Sequence, residues 1–284
     1  MTAARLTAYS HDGLTFDVLD DGPLDGDPVV LLHGWPERAT TWRSVAPLLH
    51  ARGLRTYAPD QRGYSPGARP LGRWHYRIGR LTADVVALVE EIGRPVHLVG
   101  HDWGSIVGWH LAATRPDLVR SWTAVSVPHP RAFVRAAVTS SQGLKSWYMG
   151  LFQVPLLVDL VGRFAPTLLL RALREGGMTE EEVRRCRAEI LDYGALPGGL
   201  GWYRALPFAA GEVGTSEVSV PTTFVWSTED VALARRGAEL TAQHVTGPYE
   251  FVELEGVSHW VPTQAPEALA EAVLRRIDSV GAAR

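Results

Sequence analysis

The chain alternates between short, wholly apolar runs and longer stretches whose apolar residues return with helical period. Residues 5–20 alternate loosely, with Leu14, Phe16, Val18 and Leu19, and close on an Asp20-Asp21-Gly22-Pro23 turn. That pattern predicts a hairpin at a sheet edge. Pro28-Val29-Val30-Leu31-Leu32 is apolar throughout, as expected of a strand covered on both faces. A helix is predicted over roughly 41–52 and a strand over 54–59. A second helix is predicted over 78–92, where Leu81, Val85, Leu88 and Ile92 form one stripe. Apolar strands at 96–101 and 122–127 follow. The alternation then stops: 130–214 holds helical stretches near 143–151, 156–164, 168–174 and 180–192, a turn or helix at 201–209, and no strand. It resumes with a strand at 221–226, a helix near 234–243, a strand at 249–254 and a terminal helix at 266–280.

Strand–helix alternation of this kind implies an α/β fold with a mostly parallel, eight-stranded sheet and helices on both faces. Residues 1–129 and 215–284 are expected to form its core. Residues 130–214 are expected to form a helical lid inserted after the sixth strand.

One junction stands out. The run Val96-His97-Leu98-Val99-Gly100 reads as a buried strand, and helical period returns from Ser105 to about Arg115. Asp102 sits between them, with glycine two positions before it and two after. A strand-to-helix turn that lifts one side chain clear of the backbone leaves no room for a Cβ at either flank. The other reading is a tight turn with an acidic helix cap.

Composition narrows the field. The 284 residues suffice for one large core or a core with an inserted lobe. With 46% hydrophobic and 21% charged residues, the chain reads as a soluble globular enzyme. A net charge of −3 gives no reason to expect nucleic acid or an anionic membrane as partner. The single cysteine, Cys186, excludes an internal disulfide and a multi-cysteine metal site. Its arginine and glutamate neighbours read as a solvated helix face. Met1 to Leu6 lacks a signal-peptide core, and the greasy stretch 156–173 is broken by Asp159, Arg163, Pro166 and Arg171. A cytoplasmic location is therefore expected.

Open α/β sheets bind ligands at the carboxyl ends of their strands. Four strand ends carry suggestive chemistry: His33-Gly34-Trp35-Pro36, Asp102, the Ser227-Thr228-Glu229-Asp230 run, and Glu255-Gly256-Val257-Ser258-His259-Trp260. Asp102, Asp230 and His259 give the chain order nucleophile, acid, histidine. Singly, each has a plainer reading: Asp230 as the cap of a helix near Ala232, His259 as one of ten histidines. His97 and His101 stand four apart but span a strand and a turn without a glutamate between them, so the helical zinc pattern is absent. No dinucleotide fingerprint or phosphate loop is present, and no metal, nucleotide or other cofactor is implied.

With these residues the chain resembles the α/β-hydrolase fold epoxide hydrolases, over nearly all of 10–278. His33-Gly34-Trp35-Pro36 matches the oxyanion loop and Gly100-His101-Asp102-Trp103-Gly104 the nucleophile elbow. The resemblance implies an oxyanion hole from the N–H groups of Trp35 and Trp103, and a cis Trp35–Pro36 bond. Haloalkane dehalogenases share both motifs. They commonly carry asparagine where this chain has Trp35. Epoxide hydrolases carry two lid tyrosines, and the stretches around Tyr148 (Tyr148-Met149-Gly150-Leu151-Phe152-Gln153-Val154-Pro155) and Tyr203 (Leu200-Gly201-Trp202-Tyr203-Arg204) resemble theirs. The other reading of these tyrosines is helix packing.

The nucleophile's identity fits that reaction. Serine attacking an epoxide carbon would leave an ether, whereas aspartate leaves an ester that water can cleave at its carbonyl carbon. The expected course is ring opening by Asp102 with Tyr148 and Tyr203 on the departing oxygen, then ester hydrolysis by water activated by His259 and Asp230. The product is a vicinal diol. Trp35, Trp103, Trp147, Phe152 and Trp260 are expected to line an apolar substrate pocket. Expected partners are a hydrophobic epoxide and water, with no nucleic acid and no membrane, in a monomer or homodimer. Two rivals stay open: a haloalkane dehalogenase using the same triad, and a ligand receptor built on the same fold.

Overall fold

Asp12 and Gly13 both take positive φ, 53° and 72°, and this tight turn joins β1 (Ala8–His11) to β2 (Leu14–Asp21) in an antiparallel hairpin. The Asp20-Asp21-Gly22-Pro23 turn read from the sequence instead carries the chain out of β2. The computed structural model describes residues 4–209, 212 and 217–281. The strands β3 (Asp27–Leu32), β4 (Leu54–Pro59), β5 (Val96–His101), β6 (Val119–Val125), β7 (Thr222–Ser227) and β8 (Tyr249–Leu254) complete an eight-stranded sheet. Its order is β1-β2-β4-β3-β5-β6-β7-β8. The β1–β2 and β2–β4 pairs are antiparallel and the others parallel.

Both faces of the sheet are covered, which explains why its central strands read as unbroken apolar runs. Val29, Leu31, Val99, Val125 and Val225 face one cluster, shared with Leu269, Val273 and Ile277 of the C-terminal helix. Val30, Leu32, Leu98, Ala124 and Phe224 face the other, with Leu81, Val85 and Leu88 of the 78–92 helix and Val107 and Leu111 of the helix after β5. Each such buried Val, Leu, Ile or Phe side chain contributes about 1.5–3 kcal/mol.

The helices are α1 (Ala46–His50), α2 (Ile78–Ile92), α3 (Trp103–Thr114), α4 (Pro130–Thr139), α5 (Gln142–Lys145), α6 (Trp147–Gln153), α7 (Leu157–Phe164), α8 (Pro166–Glu175), α9 (Glu180–Cys186), α10 (Leu196–Ala205), α11 (Arg235–Thr241), α12 (Val261–Gln264) and α13 (Pro266–Gly281). The seven from α4 to α10 all fall between β6 and β7 in the chain. The boundary expected at 214–215 lies outside the described residues.

Several elements differ from the sequence reading. The helix expected over 41–52 is a 3₁₀ turn, Ala39–Ser44, followed by the short α1. Pro47 has no N–H to continue a helix from the preceding turn, so a new one starts with proline in its first turn. The strand β6 starts at Val119 and stops at Val125, where Ser126 takes a φ of 68° and turns the chain. The unpredicted α4 starts at Pro130. The stretch read as one helix over 180–192 is α9, held by a Thr179–Glu182 capping box, continued by a π turn at Arg187–Leu191. Cys186 faces inward rather than lying on a solvated face, and burial pushes its thiol up to about 12.

Candidate active site

Asp102 joins β5 to α3 with φ 51° and ψ −118°, outside the regions an L-residue normally occupies. Such a conformation costs about 1–3 kcal/mol and persists only where its surroundings enforce it. The flanking glycines are part of that enforcement. A Cβ on Gly100 would come within 2.4 Å of the Gly104 carbonyl oxygen, and one on Gly104 within 2.2 Å of the Leu32 carbonyl oxygen. A Cβ on Gly34 would stand 2.4 Å from the Asp102 Cβ. The Ser105 hydroxyl, donating to the Gly100 carbonyl at 2.6 Å, pins the turn from inside.

The loop after β3 closes over this carboxylate. The Trp35–Pro36 bond is cis, and the Trp35 N–H donates to Asp102 Oδ1 at 2.7 Å. His33 holds the loop. It is fully buried, accepts the Gln61 N–H at its Nε2 (3.1 Å) and donates from Nδ1 to the Gly34 carbonyl (2.9 Å). Trp103 is the first residue of α3, so its N–H has no carbonyl four residues back within the helix.

From the loop after β8, His259 places Nε2 3.5 Å from Asp102 Oδ2. Its Nδ1 donates to Asp230 Oδ2 at 2.7 Å, in the loop after β7. Asp230 does not cap a helix: its Oδ1 accepts the N–H groups of the loop residues Ala232 and Leu233, each at 2.8 Å, while Oδ2 orients the histidine. The helix begins only at Arg235.

Burial alone would raise the Asp102 carboxyl, but the hydrogen bond and charge of His259, then His101 and the Trp35 amide, bring it below the ordinary carboxylate value. Burial would lower the His259 pKa; the charges and hydrogen bonds of Asp230 and Asp102 outweigh it and push His259 up to about 10. Each of the two thus favours the charged form of the other, carboxylate on Asp102 and imidazolium on His259. Tyr148 and Tyr203 are both raised, chiefly by burial and further by Asp102, so each keeps its phenolic proton at neutral pH.

An apolar cavity of about 820 Å³ lies above Asp102 and His259, and Tyr148 on α6 and Tyr203 on α10 share its wall. Of the expected substrate residues, Trp35, Trp147, Phe152 and Trp260 line it. Trp103 does not. It faces a smaller cavity of about 240 Å³, which meets the first at Asp102, Tyr148 and Tyr203. Trp147 is 70% exposed, so it borders both the large cavity and the outside.

The structure adds groups that sequence reading left without a role. His101 donates to the backbone carbonyl of His259 (2.9 Å) and pairs with Glu37 (3.2 Å), the residue that follows the cis Trp35–Pro36 pair. Gln142 on α5 is fully buried and holds the acid loop, donating to the Ala232 carbonyl (2.9 Å) and accepting from the Ala234 N–H (2.7 Å). The same amide donates to Ser146, the cap of α6. Lys145 donates to the Asp230 carbonyl at 2.7 Å. Adjacency to a motif was a signal for Glu37 and His101; no sequence signal pointed to Gln142.

A turn that lifts an acid above a parallel sheet, answered by a histidine from the end of the last strand, defines an α/β-hydrolase. A family model described as "alpha/beta hydrolase fold" matches residues 27–266. Among curated relatives, the AB hydrolase superfamily protein YfhM of Bacillus subtilis is 35% identical across 96% of this chain and 98% of its own. Epoxide hydrolase A of Mycobacterium tuberculosis is 30% identical across 93% of this chain and 94% of its own. The crystal structure of Epoxide Hydrolase A from Mycobacterium thermoresistibile superposes with a TM-score of 0.83 at 28% identity, covering 95% of this chain and 97% of that one. The chain belongs to the epoxide hydrolase family of α/β-hydrolases and is an enzyme. Among the described residues, no helix is long and apolar enough to cross a membrane.

Proposed function

We propose that this enzyme converts an apolar epoxide and water to a vicinal diol through an ester on Asp102. The observation that carries this reading is the shared wall: two protonated phenols, Tyr148 and Tyr203, border the same cavity as the Asp102 carboxylate. Leucines and aromatic rings make up most of the remaining wall, which suits an apolar substrate.

Asp102 Oδ2 attacks one epoxide carbon while Oδ1 stays on the Trp35 amide. The carbon–oxygen bond breaks, and its electron pair goes to the ring oxygen, where the two phenols donate. Ester formation removes the Asp102 charge. With it goes part of the upward pull on His259, whose released proton balances the alkoxide formed by ring opening. Neutral His259, held by Asp230, then takes a proton from water, and the hydroxyl attacks the Asp102 carbonyl carbon. The negative charge forms on Oδ1, against the amides of Trp35 and Trp103. As the bond between Oδ2 and the carbonyl carbon breaks, the departing diol oxygen takes the proton held on His259, and the proton of the new carboxyl group passes to His259, which restores carboxylate and imidazolium.

The test is turnover of styrene oxide and of a panel of haloalkanes, run beside Asp102→Ala. Diol from the epoxide, little halide from the haloalkanes and an inactive variant are expected. Halide release with no diol would replace this reading with dehalogenation, and no turnover of either class would leave the fold serving as a receptor.

A further inference from the structure

Eleven of the seventeen large apolar side chains that stand exposed among the described residues fall within residues 134–168. A monomeric protein seldom leaves such a concentration facing water without a use for it. Leu144, Trp147, Leu151, Leu157 and Leu168 are exposed and at the same time form part of the wall of the large cavity, as does Val231. The cavity therefore opens to the outside through this apolar face. Leu160 and Phe164, 49% and 72% exposed, extend the face along α7 beyond the cavity wall.

The overall charge of −3 conceals a local excess of the opposite sign. Residues 130–165 carry Arg131, Arg135 and Arg163, with Lys145 turned to the Asp230 carbonyl, against one acid, Asp159, and Asp159 is already ion-paired with Arg204. The Arg163 guanidinium lies 5.2 Å from the Phe164 ring centre. An aromatic ring beside a cation on a long apolar stem suits the boundary between headgroups and acyl chains. Net charge taken over the whole chain hides this excess, so it offers no electrostatic reason for a membrane partner.

We propose that the face formed by α4 to α7 seats on an anionic lipid surface, with its apolar side chains at the acyl boundary and its basic ones among the headgroups. An apolar substrate dissolved in the lipid then reaches the cavity without crossing water. That purpose rests on reading the site as one for apolar epoxides; lipid binding itself does not, and the two are measured separately.

The test is cosedimentation of the full chain with vesicles of phosphatidylcholine containing about one-third phosphatidylglycerol, and with phosphatidylcholine alone. Binding to the anionic vesicles that weakens with added salt is expected. The exposed double substitution Leu160→Glu with Phe164→Glu is expected to weaken it about tenfold, while styrene oxide hydrolysis without vesicles stays within about twofold of wild type. A second exposed variant on α4, Val138→Glu, serves should the first fold poorly. Absence of binding to either vesicle, or binding indifferent to the substitutions, overturns the proposal. So does a wild-type dimer in sedimentation that the substitutions break, since a second copy would then cover the face. Vesicle binding by a protein that makes no diol would uphold the surface and remove the epoxide reading alone.

Discussion

The Trp35 N–H donates to Asp102 Oδ1 at 2.7 Å, while His259 Nε2 stands 3.5 Å from the other oxygen, Oδ2. The two carboxylate oxygens are thus already different before substrate arrives. In the proposed course, one lies on the amide that stabilises the oxyanion, and the other is left to form the ester. In a single turnover run in heavy-oxygen water, the diol should carry no label and the protein should gain one heavy oxygen at Asp102. A labelled diol in that first turnover would mean that water attacks the epoxide directly.

Tyr148 and Tyr203 should matter to ring opening more than to ester hydrolysis. Replacing either by phenylalanine removes one donor from the developing alkoxide, and loss of such a donor typically costs about 10²–10³ in rate. The double variant should lose nearly all ester formation. Stopped-flow measurement of the tryptophan signal separates the two steps. Equal slowing of both steps would mean that the tyrosines only pack the helices.

The His259 pKa, raised to about 10 from an ordinary 6.5, has a consequence for stability. The folded state holds that proton more tightly than the unfolded chain does. The resulting stabilisation is complete below pH about 6.5 and is lost as pH climbs through about 10. The melting temperature of the wild type should therefore fall relative to His259→Gln across this window, and thermal melts over the pH series check it. In catalysis the direction reverses. Ester hydrolysis needs neutral His259, so where that step limits kcat the rate should rise with pH, with a midpoint below 10 because Asp102 is then uncharged.

Gln142 ties the acid loop to the cap of the Tyr148 helix through one side-chain amide. Gln142→Ala leaves the Ala232 carbonyl and the Ala234 N–H unpaired, each costing about 1–3 kcal/mol while it stays buried. Ester hydrolysis should slow more than ester formation, because Asp230 is held by that loop. The low-field proton signal of the His259 Nδ1–H should shift or broaden. A variant of lowered melting temperature with both rates and that signal unchanged would give Gln142 a purely structural part.

Much of this was legible in the chain because it is encoded locally. The β4, α2 and β8 bounds follow directly from apolar runs and helical stripes. The glycines around Asp102 foretold a turn without room for a Cβ, and the backbone there meets that description. What stayed hidden depends on distant parts of the chain. Cys186 sits among charged neighbours yet turns inward, a matter of how α9 packs and not of its composition. Trp103 follows the elbow residue but lines the smaller cavity, its ring packed against those of Trp202 and Tyr203. Gln142 is an unremarkable glutamine until folding sets it ninety residues back against Ala232 and Ala234.

The central claim is that Asp102 becomes covalently bound to substrate and that the ester is not hydrolysed without His259. The direct measurement is the intact mass of His259→Gln after incubation with an excess of styrene oxide, followed by peptide mapping. A gain equal to one epoxide, located on Asp102 and persisting without diol formation, is the predicted result. Continued turnover with no adduct would contradict it.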